Sequence, residues 1–124
     1  MTLPAAPASA TTARCEVTRR LSPKVAVRAL EDVRLLLTEL VTNALRHSKA
    51  SAGDEIGVKA EVRDGTVRLE VSDPGNDGPV TPREPGSNGG GYGLFLVERL
   101  TDQWGVDSRD RTTVWAELSA GPAR

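Results

Sequence analysis

The segment from Ala26 to Ser48 constrains the fold more than any other. Val33, Leu36, Leu37, Leu40, Val41, Ala44 and Leu45 recur at helical spacing and form a wide apolar face. Such a face must be covered by another layer of structure. The next runs can supply the cover. Ile56, Val58, Ala60 and Val62 alternate with polar residues, as do Val67, Leu69 and Val71, and alternation of this kind marks half-buried strands. Asp64-Gly65 between them is a favoured dipeptide for a two-residue hairpin turn.

Shorter elements flank this centre. A helix is expected from Ala10 to Leu21, with Val17 and Leu21 one turn apart and basic residues late, until Pro23 interrupts it. Residues 1–10 are rich in Ala, Pro and Ser and read as a flexible segment, with Leu3 in a short edge strand. Gly93 to Trp104 reads as a helix with Leu94, Val97, Leu100 and Trp104 on one face, and Gly105 as its stop. A strand around 105–109, a turn at Asp110-Arg111 and a strand from Thr112 to Leu118 close the chain. Residues 74–90, rich in proline and glycine, read as a long mobile loop, and loops of that length inside a compact domain are usually functional or disordered. The expectation is one domain over 11–120 in an α+β, two-layer sandwich: helices packed on one face of a mixed, mostly antiparallel sheet. At 124 residues the chain is long enough for one real core.

Composition removes several classes of function. Sixteen basic residues against seventeen acidic give a net charge of −1, without the basic surplus of a nucleic-acid binder. Cys15 is the single cysteine, which rules out an internal disulfide and a cysteine zinc site and suits a cytoplasmic setting. The opening MTLPAAPASA has neither the basic nor the apolar part of a signal peptide. The run LLLTELVTNAL carries Glu39 and Asn43 and is too short to span a bilayer, so no membrane partner is expected.

Three stretches could carry chemistry, and each has a plainer alternative. Glu39, Asn43 and His47 are spaced four apart on one face of the long helix. They are either a solvated face or a carboxylate and an amide aimed into a cleft, suited to proton abstraction and to metal coordination. In LEVSDPGNDG, Asp73 ends a strand two residues before Gly75. This is either a Pro-Gly turn or a carboxylate accepting from a ligand amine, with Gly75 allowing close approach. A calcium loop from Asp73 to Glu84 is a near fit but fails. Gly75 offers no side-chain oxygen, Pro79 and Pro82 interrupt, and a strand leads in. In SNGGGYGLFLVERL, no strand precedes the glycines and no Gly-Lys-Ser/Thr follows, so neither a dinucleotide fingerprint nor a P-loop fits. What remains is a hinge ahead of a core helix, or an anion site at a helix N-terminus.

The order of ELVTNALRH, VSDPG, GGGYGLFLV and TTVWAEL resembles the GHKL-type (Bergerat-fold) ATP-binding domain of DNA gyrase, heat-shock chaperone ATPases and sensor histidine kinases. The chain is most similar to bacterial anti-sigma-factor serine kinases and their small stand-alone relatives, over about Leu21 to Leu118. The resemblance implies ATP and Mg²⁺ as cofactors, with Asn43 as the metal ligand and Glu39 as general base toward the attacking hydroxyl. It implies that Asp73 accepts from the adenine amino group, that Gly75 leaves room beside the ring, and that Thr113 supports the adenine end beside Asp73. Gly91, Tyr92, Gly93 and Leu94 would offer amides to the phosphates, and residues 76–90 would form a lid, with Arg83 a candidate near the γ-phosphate. His47 falls in the matching motif either as a phosphate contact or as a structural hydrogen-bonding residue.

With His47 as the only histidine, neither a separate phosphoacceptor of a complete sensor histidine kinase nor a gyrase-type transducer after Leu118 is expected. The implied function is that of an anti-sigma factor with serine/threonine kinase activity, its partners a sigma factor and an anti-sigma-factor antagonist, with no direct contact to nucleic acid. The alternatives are an ATP-binding module that sequesters a partner without kinase activity, and an ATPase with water as acceptor. A homodimer is the oligomeric expectation, with an N-terminal strand that looks truncated.

Overall fold

The computed structural model describes residues 1–47, 53–73, 92–108 and 111–121. The elements in chain order are β1 (Thr2–Pro4), α1 (Ala8–Leu21), α2 (Val27–His47), β2 (Glu55–Arg63), β3 (Thr66–Asp73), α3 (Tyr92–Leu100), β4 (Gln103–Ser108) and β5 (Thr112–Ser119). The strands form a five-stranded sheet in the order β1-β2-β3-β5-β4. Every described pair is antiparallel. Helices α1 and α2 pack on each other and on one face of the sheet, and α3 packs on α2. This is the expected α+β sandwich.

The core follows from the two periodicities. Helix α2 buries Val33, Leu36, Leu37, Leu40 and Val41, all at most 2% exposed, and the sheet meets them with Ile56, Val58, Val67, Leu69, Val71, Ala116 and Leu118. Burying a side chain of this kind is worth roughly 1.5–3 kcal/mol, so this shared core is the main source of stability. Helix α1 adds Ala13, Val17 and Leu21 at four-residue spacing. The hairpin joining β2 and β3 uses Asp64 and Gly65 at φ 53° and 77°. Positive φ at both central positions gives a turn whose twist matches that of the strands.

The chain ends are tied into this frame. Residues 1–10, expected as flexible, hold β1 and the start of α1. Leu3 does sit in an edge strand, opposite Ile56. Ser9 donates through its hydroxyl to the Pro4 carbonyl at 2.6 Å, fixing the turn between β1 and α1. At the other end Ala26 N–H donates to Ala120 O, and Ala120 N–H donates to Gly65 O. One corner of the domain thus holds the start of α2, the end of β5 and the β2–β3 turn.

Helix α3 ends at Leu100, five residues before the expected stop, and Trp104 belongs to β4. The Thr101 hydroxyl donates to Val97 O at 2.6 Å, closing the last turn. The Asp102 amide donates instead to Glu117 O, which turns the chain into the sheet. Trp104 still packs on the core, but from a strand. Gly105 is no helix stop. It faces Trp115, whose ring would lie 2.7–2.8 Å from a Cβ at that position.

The sheet face away from the helices carries a different chemistry. Arg68 donates to Glu70 at 3.0 Å and to Glu117 at 2.7 Å. Its guanidinium lies 4.5 Å from the centre of the Trp115 ring. Its hydrogen bonds to the two carboxylates, Glu117 first, raise the Arg68 pKa above its ordinary value.

Candidate functional site

A buried polar side chain says more about function than an exposed apolar one. Among the described residues four polar or charged side chains are buried: Ser9, Asn43, Asp73 and Thr112. Ser9 is accounted for by its bond to Pro4. The other three share a location. Asn43 is 8% exposed on α2, Asp73 is 5% exposed at the end of β3, and Thr112 is 5% exposed at the start of β5. The corner at Gly65 and Ala120 holds the start of α2. Asn43 lies about 25 Å along the helix from there, and Asp73 and Thr112 lie roughly as far along their strands. Helix and sheet therefore bring their buried polar residues to the same end of the domain.

Each side chain is placed by the periodicity of its own element. Asp73 continues the buried series Val67, Leu69, Val71 on β3, two residues at a time. Thr112 precedes Val114, Ala116 and Leu118 on β5 in the same way. The two are direct cross-strand partners, so both point toward the helices. Asn43 continues the buried stripe of α2 after Leu36 and Leu40, and Glu39, one turn before it, is half-buried. The Asn43 side chain makes no hydrogen bond to another described residue. Thr18 Oγ1 is the one described side-chain polar atom that is both sealed from solvent and unpartnered, so the Asn43 amide retains some access to solvent. Glu39 and Asn43 are thus neither a fully solvated face nor a core pair.

The structure redirects one expectation. Thr113 does not sit beside Asp73: it pairs with Ser72 and Asp107 on the open face of the sheet. The residue beside Asp73 is Thr112. The signal was present in the alternation, because 112 has the parity of the core positions 114, 116 and 118, whereas 113 does not.

Other expected site residues are only partly described. Tyr92, Gly93 and Leu94 open α3, so their amides lie in its first turn, where backbone N–H groups have no partner inside the helix. His47 is the last residue of α2, with its side chain outside the described part. Gly75, Gly91, Arg83 and the expected lid at 76–90 lie outside the described residues.

The donor set bears on a metal. No cluster of three or more His, Cys, Asp or Glu side chains able to hold an ion exists among the described residues. Mg²⁺ usually keeps several waters and binds through one or two protein oxygens plus substrate phosphates. The buried Asn43 amide oxygen fits that pattern of a single protein ligand. No described helix is long and apolar enough to cross a membrane.

A family model for the histidine kinase-like ATPase domain matches residues 3–118. The serine-protein kinase RsbW of Listeria innocua is 31% identical over 87 residues, which are 60% of this chain and 55% of that protein. The serine-protein kinase RsbW of Bacillus subtilis is 29% identical over 98 residues, 68% of this chain and 61% of that protein. The chain therefore spans somewhat over half the length of these curated relatives. Among solved structures, the RsbU and RsbW domains of a Mycobacterium tuberculosis protein match the whole chain with a TM-score of 0.72, at 23% identity and over 33% of that chain. The histidine kinase domain of an Erythrobacter litoralis blue-light activated histidine kinase matches 74% of this chain and 45% of its own, with a TM-score of 0.53 at 26% identity.

Proposed function

The chain belongs to the histidine kinase-like ATPase domain family, and from that premise we propose that it is a Mg·ATP-dependent serine/threonine protein kinase acting as an anti-sigma factor. Its phosphoryl acceptor is a serine of an anti-sigma-factor antagonist, its sequestered partner is a sigma factor, and its setting is cytoplasmic. The observation that carries the nucleotide site is the gathering of Asn43, Asp73 and Thr112, buried and polar, at one end of the domain. The name serine-protein kinase on the relatives supports the reaction.

The roles follow from what each group can do. Asp73 accepts a hydrogen bond from the adenine amino group, with the Thr112 hydroxyl next to it on β5. Gly75 leaves the ring room against the backbone. Asn43 offers its amide oxygen to Mg²⁺, which supplies charge neutralisation on the phosphates. The first-turn amides of α3 at Tyr92, Gly93 and Leu94, with Gly91 before them, face the phosphates, because a helix N-terminus favours an anion. His47, one turn beyond Asn43, is a candidate for a further phosphate contact. Glu39, one turn before Asn43, takes the proton of the acceptor serine hydroxyl. Phosphoryl transfer depends on positioning and electrostatics more than on covalent chemistry, and these residues provide both.

The test is ATP titration of the wild type, Asn43→Ala and Asp73→Asn, with and without Mg²⁺. Asn43→Ala is expected to remove the Mg²⁺-dependent part of binding, and Asp73→Asn to weaken binding in either condition. If neither change weakens binding, the site assignment is wrong. Labelled ATP with candidate antagonist proteins then tests the reaction. Label on serine, lost in Glu39→Ala, is expected. ATP binding with no labelled partner would leave an ATP-binding module that sequesters its partner without phosphorylating it.

A further inference from the structure

The strand that delivers Asp73 is held unevenly. On the β5 side the β3 ladder continues through Asp73, which pairs with Thr112. On the β2 side the ladder stops one residue earlier, at Gly57 opposite Ser72. Beyond that point β2 stays paired with β1 on its other edge, with Ile56 opposite Leu3 and Glu55 opposite Pro4. Asp73 therefore sits where β2 and β3 part. An open ladder end tends to fray, because the residues just past its last pair are not held on that side.

Arg111 closes this gap. Its Nη2 donates to Ser72 O at 3.3 Å and to Glu55 O at 3.1 Å. The first carbonyl belongs to the residue before Asp73. The second belongs to β2, just past the last β2–β3 pair. Arg111 itself directly precedes Thr112, the cross-strand partner of Asp73. One guanidinium thus joins β5, β3 and β2 where the ladder between the last two has ended. The site is also sterically tight: a Cβ on Gly57 would lie 2.6 Å from Ser72 Oγ. Both bonds come from one guanidinium nitrogen, whose two N–H groups point in fixed directions in the plane, which suits two carbonyls on separate strands better than a freely rotating ammonium does.

Resting on the nucleotide reading above, we propose that Arg111 is a positioning residue for base recognition: it fixes the end of β3 so that the Asp73 carboxylate meets the exocyclic amine of the purine. Arg111 is exposed and need not touch the nucleotide. It acts through Asp73, and its loss shows as poorer discrimination of the base amine rather than as general loss of affinity.

The test compares ATP with purine riboside triphosphate, which lacks the 6-amino group, on wild type, Arg111→Met, Arg111→Lys, Asp73→Asn and the Arg111→Met/Asp73→Asn double variant. Wild type is expected to prefer ATP by about 10- to 100-fold, the size of a hydrogen bond to a charged group. Arg111→Met is expected to shrink that preference by roughly 3- to 5-fold while binding the amine-free analogue as the wild type does, because one neutral-acceptor hydrogen-bond pair is lost. Arg111→Lys, which keeps a cationic donor without the fork, should fall between the two. Once Asp73 is replaced, adding Arg111→Met should change nothing further. Equal weakening for both nucleotides in Arg111→Met, or additive losses in the double variant, would overturn the positioning role while leaving the nucleotide site intact. Absence of any preference for ATP in the wild type would overturn the reading of Asp73 itself, and this proposal with it.

Discussion

Replacing Asn43 by Ala separates function from stability. Asn43 is buried on α2, 8% exposed, and its side chain has no hydrogen bond to another described residue. Asn is among the poorer helix formers, and Ala the best, so the backbone gains roughly 0.6 kcal/mol from the change. Removing an amide that is only partly solvated and has no protein partner adds a further gain, on the order of 0.5 kcal/mol. Against this stands the lost packing of the small amide group. The side chain is not sealed from solvent, so water can enter the space it leaves, and the cavity cost stays below about 0.5 kcal/mol. The balance is a stabilisation of about 0.5–1 kcal/mol, or a rise in Tm of roughly 2–5 °C for a domain of this size. The assay is a thermal melt of both proteins without nucleotide, followed by ATP titration with Mg²⁺. The expected pattern is a higher Tm together with lost Mg²⁺-dependent binding. A fall in Tm would refute the reasoning, because it would mean that the fold itself holds Asn43 in place.

Three further outcomes test the frame around the site. Leu37→Ala, at a fully buried position facing the sheet, should cost about 2–5 kcal/mol in urea unfolding, whereas Leu35→Ala, 42% exposed on the same helix, should cost less than about 0.5 kcal/mol. Gly105→Ala should destabilise by roughly 1–2 kcal/mol, because its Cβ would meet the Trp115 ring at 2.7–2.8 Å, and Trp115→Leu in the same chain should relieve most of that loss. Arg68→Met removes two partly exposed ion pairs and the stacking on Trp115; the expected cost is about 1 kcal/mol, smaller at 1 M salt than at low salt, measured by the urea midpoint.

The large elements were legible in the sequence because their periodicity is local. The apolar face of α2, the alternation of β2 and β3, and the Asp64-Gly65 turn each state their structure within a short window. The errors came where the deciding partner is far away. Leu94, Val97, Leu100 and Trp104 continue a helical spacing, and nothing in that window reveals that the Asp102 amide is taken by Glu117. The three residues of β1 are too few to show a period, and their partners lie more than fifty positions on. Thr112 rather than Thr113 lies opposite Asp73, a distinction the sequence hides because adjacent threonines have the same chemistry. On a strand, a displacement of one residue changes the face, and only the parity of the core positions separates the two.

The two faces of the sheet divide the work. Toward the helices lie the apolar core and, at its far end, the buried polar residues of the candidate site. On the open face lie Trp115 over Gly105 and the Arg68 network, which hold β3, β5 and β4 together without reaching that end. Changes in the network should therefore alter stability with little effect on nucleotide binding, since distant sites contribute independently. Arg111 is where this separation fails. It directly precedes Thr112 and bonds the carbonyl next to Asp73, so a change at this exposed residue reaches the buried carboxylate through a single peptide unit. A surface position whose replacement leaves the melt nearly unchanged and still shifts base preference is what this topology allows at Arg111, and at no position within the Arg68–Trp115 network.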